Sequence, residues 1–447
     1  MRAWHLLWQQ LRRYPSALVG LALIGLFVAL SLYAVLAIPY REALLLWRGG
    51  EQWQDYPRNA APAWTNWWRR SKLPETIVVR ESSAEATVEE TFPDGRRLRM
   101  TLAFPYGYGE FPQEMNLFVE ADFIESRPFA SLLWQTPDGR QFDLGTYRLR
   151  GRERISLSQN RDLARRLGAP AHIALLSEPG ARPLELTGRV LPGEHRLILD
   201  LVMFEDDAEV STKLISYGRV HGLAGTDHQR RDLMVALLWG TPIALAFGLL
   251  AAVGTTVTTL VVAAAGVWLG GWIDAAIQRI TEVNMILPML PVLVMVGALY
   301  SRSIWVMLGV VVLFGIFSAG IKMYRAMLLP VRDAPYIEAA RAYGAGHWRI
   351  ILRYMIPRVL PVLIPAFVTL IPSFVFLEAS LAVLGLGDPV LPTWGKILND
   401  AQSEGALYNG YYYWVVAPAV MLMLSGLGFA MLGFAMDRIF NPRLRAG

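Results

Sequence analysis

Glu378 stands within a long apolar stretch, where a carboxylate facing hydrocarbon would cost at least about 2–3 kcal/mol. It must face a partner or a water-filled path. Two readings follow: a pathway or gate group that could meet an amine, or a structural hydrogen bond to a neighbouring helix terminus. Asn284, with Pro288 and Pro291, could loosen a helix beside such a path, although prolines near the start of a membrane helix are also simply positional. The other groups capable of chemistry are scattered. The six histidines (His5, His172, His195, His221, His228, His347) have neither HxxxH nor HExxH spacing, and there is no cysteine, so no metal site, disulfide or thiolate chemistry is expected. No GxxxxGK[ST] loop occurs: Gly395-Lys396 is followed by Ile397 and lacks the upstream glycine. ATP hydrolysis, if it drives this protein, belongs to another chain.

The elements that must position these residues are membrane helices. A chain of 447 residues with 54% apolar content and mean hydropathy of +0.34 is too apolar for a soluble domain. Charge-free runs of spanning length occur at 17–38, 233–273, 303–321, 359–377 and 405–436, with a weaker one at 283–301. Arg2, Arg12 and Arg13 precede the first run and give it the look of a signal peptide. The run is longer than an ordinary h-region and Val35-Leu36-Ala37 is a weak cleavage site, so a retained span is expected. The run 233–273 is long enough for two spans, but two would place the basic loop discussed below outside. One span preceded by an interfacial helix over 233–246 is expected instead. Six spans then lie near 17–38, 248–272, 283–301, 304–322, 359–386 and 411–436, with both termini cytoplasmic. The net charge of +5 collects at membrane flanks and reports topology, not nucleic-acid binding.

Residues 41–222 differ in character. Alternating stretches at 76–80, 97–102, 116–121, 172–176 and 196–203 read as half-buried strands. Pro93-Asp94-Gly95, Pro137-Asp138-Gly139 and Pro192-Gly193 read as hairpin-type reversals, and 158–167 as a helix. A β-rich sandwich or barrel-like external domain is expected. Its lead-in carries Trp53, Trp64, Trp67 and Trp68 followed by Arg69 and Arg70, which suit an aromatic belt or a segment on the membrane surface, or equally core packing.

Between Lys322 and Arg358 lie seven bases (Lys322, Arg325, Arg332, Arg341, Arg349, Arg353, Arg358) against Asp333 and Glu338, a cytoplasmic loop by the positive-inside rule. Within it, Ile337, Ala340, Arg341 and Gly344 recur at helical spacing. Small Ala339, Ala340 and Gly344 would let another protein approach the backbone closely, and Pro357 is expected to end the short helix. On periodicity alone the segment reads first as a solvated amphipathic connector between two membrane helices.

EAARAYGAGHWRIILRYMIP at 338–357 resembles the EAA loop of bacterial ABC importer permeases. The resemblance extends over 222–447 to the dipeptide/oligopeptide branch of type I importers. Gly225-Thr226-Asp227 with Arg231-Asp232 match that branch's GTDxxGRD, with Arg230 where glycine is expected; 376–398 match ExSLSFLGLG…PxWG; 437–445 match the DPRL ending. The resemblance implies an α-helical polytopic membrane protein of the type I ABC importer fold, here with an inserted β-rich external domain that the family pattern lacks. It implies an inner-membrane permease subunit of a prokaryote, surrounded by membrane lipid and with no nucleic-acid partner, paired with a homologous permease in a heterodimer and with two ABC ATPase subunits that bind the ATP and Mg2+. Substrate, peptides in this branch, would arrive on an external binding protein.

The resemblance also assigns roles. Glu338, Ala339, Ala340, Gly344 and Pro357 would form the ATPase-coupling loop. Gly225, Thr226, Asp227, Arg231 and Asp232 would form an external signature, in which Asp227, Arg231 and Asp232 make an ion-pair network or simply a solvated turn; on the reading of the residues given above, Glu378 and Asn284 would belong to the translocation pathway. Arg230 is expected to change the tight turn, because arginine visits positive φ less cheaply than glycine. The alternatives are a membrane-anchored sensor with an external ligand domain, for which the sequence shows no sizeable internal output domain, and a secondary transporter, for which it shows no inverted repeat.

Overall fold

The computed structural model describes residues 14–80, 84–92, 95–180, 189–205 and 207–440. The N-terminal arginines, the Pro93-Asp94 pair and the C-terminal ending from 441 lie outside the described residues. The chain forms two compact units, one of residues 1–48 and 235–447, the other of Gly49–Met234.

The second unit is a sandwich of two antiparallel sheets. Its strands are β1 (Ile77–Arg80), β2 (Ala84–Phe92), β3 (Gly95–Tyr106), β4 (Glu114–Asp122), β5 (Phe129–Gln135), β6 (Gln141–Arg148), β7 (Arg152–Ser156), β8 (Gly193–Met203) and β9 (Glu209–Tyr217). The sheets run β1-β9-β4-β7 and β2-β3-β8-β5-β6. Alternation makes the core: Leu117 and Leu214 from one sheet and Phe104, Trp134 and Leu199 from the other are fully buried together, as the period of two requires. Pro137-Asp138-Gly139 turns β5 into β6.

Two expectations for this unit need correction. Residues 172–176 are not a strand: Ala171–Ala174 form a short helix behind Pro170. Ile173, Leu175 and Leu176 are all buried, and a short apolar run buried on every side shows no period that separates helix from strand. Pro192-Gly193 is no hairpin; Gly193 opens β8, whose neighbours are β3 and β5. The tryptophans split, Trp53 packing edge-on against Tyr56 inside while Trp67 and Trp68 stand 80% and 74% exposed.

The first unit is helical: α1 (Pro15–Ala37), α2 (Tyr40–Arg48), then, after the sandwich and its two short helices α3 (Arg161–Leu167) and α4 (Ala171–Ala174), α5 (Leu233–Leu269), α6 (Gly271–Ile286), α7 (Met289–Leu299), α8 (Ile304–Ile316), α9 (Ala319–Arg332), α10 (Pro335–Ala342), α11 (His347–Ile350), α12 (Ile356–Leu381), α13 (Trp394–Ser403) and α14 (Tyr412–Phe440). Among the described residues four helices, Pro15–Ala37, Leu233–Leu269, His347–Leu386 and Tyr412–Ile439, are long and apolar enough to cross a membrane. Counting the bent pairs α6–α7 (76°) and α8–α9 (45°) as one span each gives up to six. Helix α1 crosses α14 at glycines: a Cβ on Gly20 would lie 2.8 Å from the Gly428 carbonyl oxygen, so only hydrogen permits that approach.

Two further expectations are corrected here. No separate interfacial helix covers 233–246; α5 is continuous through Pro242. One residue before the carbonyl that the proline leaves without its rung, Thr241 Oγ1 and Trp394 Nε1 both donate to the Leu237 carbonyl. Pro357 does not end the coupling helix. It lies in the helical run His347–Leu386, just after a π turn at Ile351–Met355. The wider i→i+5 ladder makes room for a residue without an N–H.

Candidate functional site

The signature turn belongs entirely to the sandwich unit. Gly225 has φ +79°, and Thr226 and Asp227 are fully buried. Thr226 Oγ1 donates to Pro57 O (2.7 Å) and accepts from Ala60 N (3.0 Å), which pins the turn to the lead-in segment. Asp227 accepts from the backbone N–H groups of Gln229 and Arg231 and pairs with Arg231 Nε at 2.5 Å. Asp232 does not join that pair. It precedes α5 and accepts from Met234 N at 2.8 Å, an N-cap contact that satisfies one of the helix's orphan donors. Burial pushes the Asp232 carboxyl above the usual carboxylate range and depresses the nearby His221.

Arg230 keeps the turn that its glycine counterpart would make, at φ +68°, contrary to expectation. The side chain compensates for the strain. Nη1 donates to Tyr56 O (2.6 Å), Nη2 to Glu114 (2.7 Å), and the guanidinium lies 4.0 Å over the Tyr217 ring. All three partners lie in the sandwich unit, so Arg230 and that unit form one arrangement.

The expected coupling loop is α10 with its flanks. Pro335 starts the helix, where its missing N–H costs nothing. Gly344 ends it at φ +76°: Gly344 N donates to Arg341 O (2.9 Å) and Ala345 N to Ala340 O (3.0 Å), the paired bonds of a Schellman cap. Ile337 is buried in a cluster with Leu260, Leu328 and Ile350, and Ala340 is buried beside it. Glu338, Ala339, Arg341 and Gly344 are exposed, as is Pro357. The helix is thus fastened by one face and presents a small, charged ridge on the other. Asp274 on α6 grips Arg325 on α9 with both oxygens, the shortest contact 2.7 Å.

Glu378 and Asn284 do not share a cavity. Glu378 is 6% exposed on α12 and faces the Thr393 side chain at the start of α13, beside a cavity of about 10 Å3 also lined by Arg302 and Asp388. A carboxylate at a helix N-terminus is favourably placed. Around it the apolar motif explains itself. Gly385 (φ +81°) breaks the helix, and Asp388 accepts from Ile304 N and so caps α8. A Cβ on Gly395 would meet the Ala382 Cβ at 2.5 Å, and a Cβ on Gly240 would meet the Trp394 ring at 2.4 Å. Trp394 is fully buried, edge-on to Phe27.

Asn284 lines a cavity of about 520 Å3 with Thr255, Thr256, Thr259, Ser318 and Tyr324. Its Nδ2 donates to Phe314 O and Phe317 O, each 3.0 Å, and Thr259 Oγ1 donates to Gly315 O (3.0 Å). These carbonyls belong to the bend between α8 and α9, where the helical ladder is interrupted. Sequence reasoning missed this arrangement; the four threonines of 255–259 are its signal. Among the described residues no group of three or more His, Asp or Glu side chains is placed to hold a metal.

Residues 256–446 match the family described as binding-protein-dependent transport system inner membrane component; Gly49–Met234 lies outside the match. The chain is 32% identical over 226 residues to a glutathione transport system permease protein of Pectobacterium atrosepticum, covering 50% of this chain and 73% of that protein. It is 29% identical over 220 residues to a peptidoglycan transport system permease protein of Agrobacterium fabrum (49% and 56%), and 26% identical over 222 residues to a dipeptide transport system permease protein of Bacillus subtilis (49% and 68%). With its helices, bends and capped loop in place, the chain belongs to the family of binding-protein-dependent transport system inner membrane components.

Proposed function

We propose that this chain is the transmembrane permease subunit of an ATP-driven importer of di- or oligopeptides delivered by an external binding protein. Its partners would be a homologous permease and two ATPase subunits that hold ATP and Mg2+. Family membership favours this reading over a sensor or secondary carrier. The observation that carries the coupling assignment is the ridge of Glu338 and Ala339, exposed on a helix that Ile337 and the Gly344 cap hold rigidly from behind. A rigid rod touched at one face transmits displacement rather than absorbing it. Both termini would be cytoplasmic and 41–222 external, following the basic residues at 322–358. The cavity at Asn284 would form part of the pathway wall, exposed where the second permease packs. Glu378 would hold the entrance of α13 in register rather than meet substrate.

Affinity purification of the chain from its native host tests this. Recovery of a second permease and ATPase subunits is expected, with the ATPase lost from Ala339→Trp and Glu338→Arg variants that still reach the membrane. A chain that purifies alone and transports without any ATPase would overturn the reading.

A further inference from the structure

The sandwich unit carries a short tongue whose chemistry the permease role does not use. Ala63–Trp68 form a 3-10 helix, and the next residues return to the unit at Leu73, which is buried. Asn66 closes the loop: its Nδ2 donates to Leu73 O (3.1 Å) while Leu73 N donates to its Oδ1 (2.9 Å). Trp64 Nε1 donates to Leu223 O (2.9 Å) and fastens the base. Six consecutive residues, Trp67-Trp68-Arg69-Arg70-Ser71-Lys72, are then exposed. Trp64 stands edge-on to Trp68, and Leu223 beside the base is itself 68% exposed. The tip thus carries two indoles and three cations but no carboxylate. Among the described residues none of the three cations makes an ion pair.

Tryptophan in water exposes the large apolar face that protein interiors and membrane interfaces bury, and its N–H suits the wet side of a headgroup layer. Arginine and lysine beside it are attracted to anionic headgroups. A protein partner would need matching carboxylates and an apolar pocket; a bilayer supplies phosphate and a deformable apolar boundary together. The chain reaches this unit a short way after the membrane-length helix α1 and leaves it into α5, so both ends of the unit are tethered to membrane-length helices. We propose that the tongue Ala63–Lys72 is a lipid-docking element that inserts Trp67 and Trp68 at the headgroup boundary of an anionic bilayer, with Arg69, Arg70 and Lys72 on the phosphates.

The absence of cysteine makes the test direct. A spin label on Ser71→Cys leaves every tryptophan in place, and a label on Asp162→Cys, an exposed position of α3, serves as reference. In bilayers containing anionic lipid, the label at 71 should collide several-fold more with oxygen than with a soluble nickel chelate, and the label at 162 the reverse. Trp67→Ser with Trp68→Ser should return position 71 to solution behaviour; Arg69→Glu, Arg70→Glu and Lys72→Glu together, or neutral lipid, should reduce the contrast. A label at 71 that behaves as at 162 would overturn the proposal. So would a label shielded from both quenchers, because protein would then cover the tongue. A contrast unmoved by charge reversal and by neutral lipid would overturn the anionic component.

Discussion

Two left-handed turns in this protein meet the same steric problem differently. At Gly344 the turn is exposed, a Cβ there would meet nothing within 4 Å, and the residue is glycine. At position 230 the turn is buried and the residue is arginine, at φ +68°. A non-glycine residue at positive φ persists only where its surroundings over-determine it. Buried Arg230 has a carbonyl, a carboxylate and an aromatic face to do so. The exposed turn at Gly344 has no such partners to hold a side chain, and glycine leaves its backbone bare.

The comparison can be broken most forcefully at Arg230. Arg230→Ala leaves Glu114 without its closest cation while the strain of the turn persists, and about 3–5 kcal/mol of stability should be lost from the sandwich unit. Thermal unfolding of the purified chain, read at the β signal, measures it. Arg230→Gly loses the same contacts but relieves the backbone, so it should be the milder of the two by about 1 kcal/mol. Equal losses would mean that the turn is not strained.

Acid should separate the two regions next. Burial lowers His172 to about 4 and holds His195 and His221 below their ordinary value. A histidine depressed in the folded state binds its proton more readily when unfolded, so its contribution is present above pH 6.5 and lost as pH falls towards 4. For His172 that is on the order of 3 kcal/mol, and His172→Phe should flatten the pH dependence of the sandwich melting transition. A transition insensitive to pH between 7 and 5 would contradict the burial of these rings.

The smallest effect on stability is expected at the exposed turn. Gly344→Ala adds a methyl that meets no neighbour, so only the positive φ is penalised, by about 1 kcal/mol. Because that penalty falls on the cap that shapes the ridge, ATPase-coupled uptake should drop by several-fold while the melting temperature barely moves. Unchanged uptake would remove Gly344 from the coupling role.

What the sequence made legible follows the same physics. Trp394 and Gly395, both held by close contacts, sit in the 376–398 stretch readable as residue types at fixed spacing, whereas Gly240 beneath Trp394 lies in no such stretch. Strands β1, β3, β4 and β8 showed through their alternation. Strand β7 is only five residues and β9 opens on Glu209 and Val210 amid polar residues, so neither stood out from its flanks. The fate of Arg230 was illegible, because its three partners lie more than ten residues away in sequence and converge only in the folded sheet. The Asn284 contacts were illegible too, since nothing local announces that α8 bends at Phe317.

The prolines of α12 have a mechanical consequence. Pro357, Pro361 and Pro365 follow one another at intervals of four, so the rungs they delete lie above one another on one side of the rod. Such a helix is anisotropically stiff: it resists bending across the intact side and yields along the seam, as a hinged ruler folds in one plane. A push delivered near its base would therefore emerge as a swing in a fixed direction, chosen by where the prolines stand.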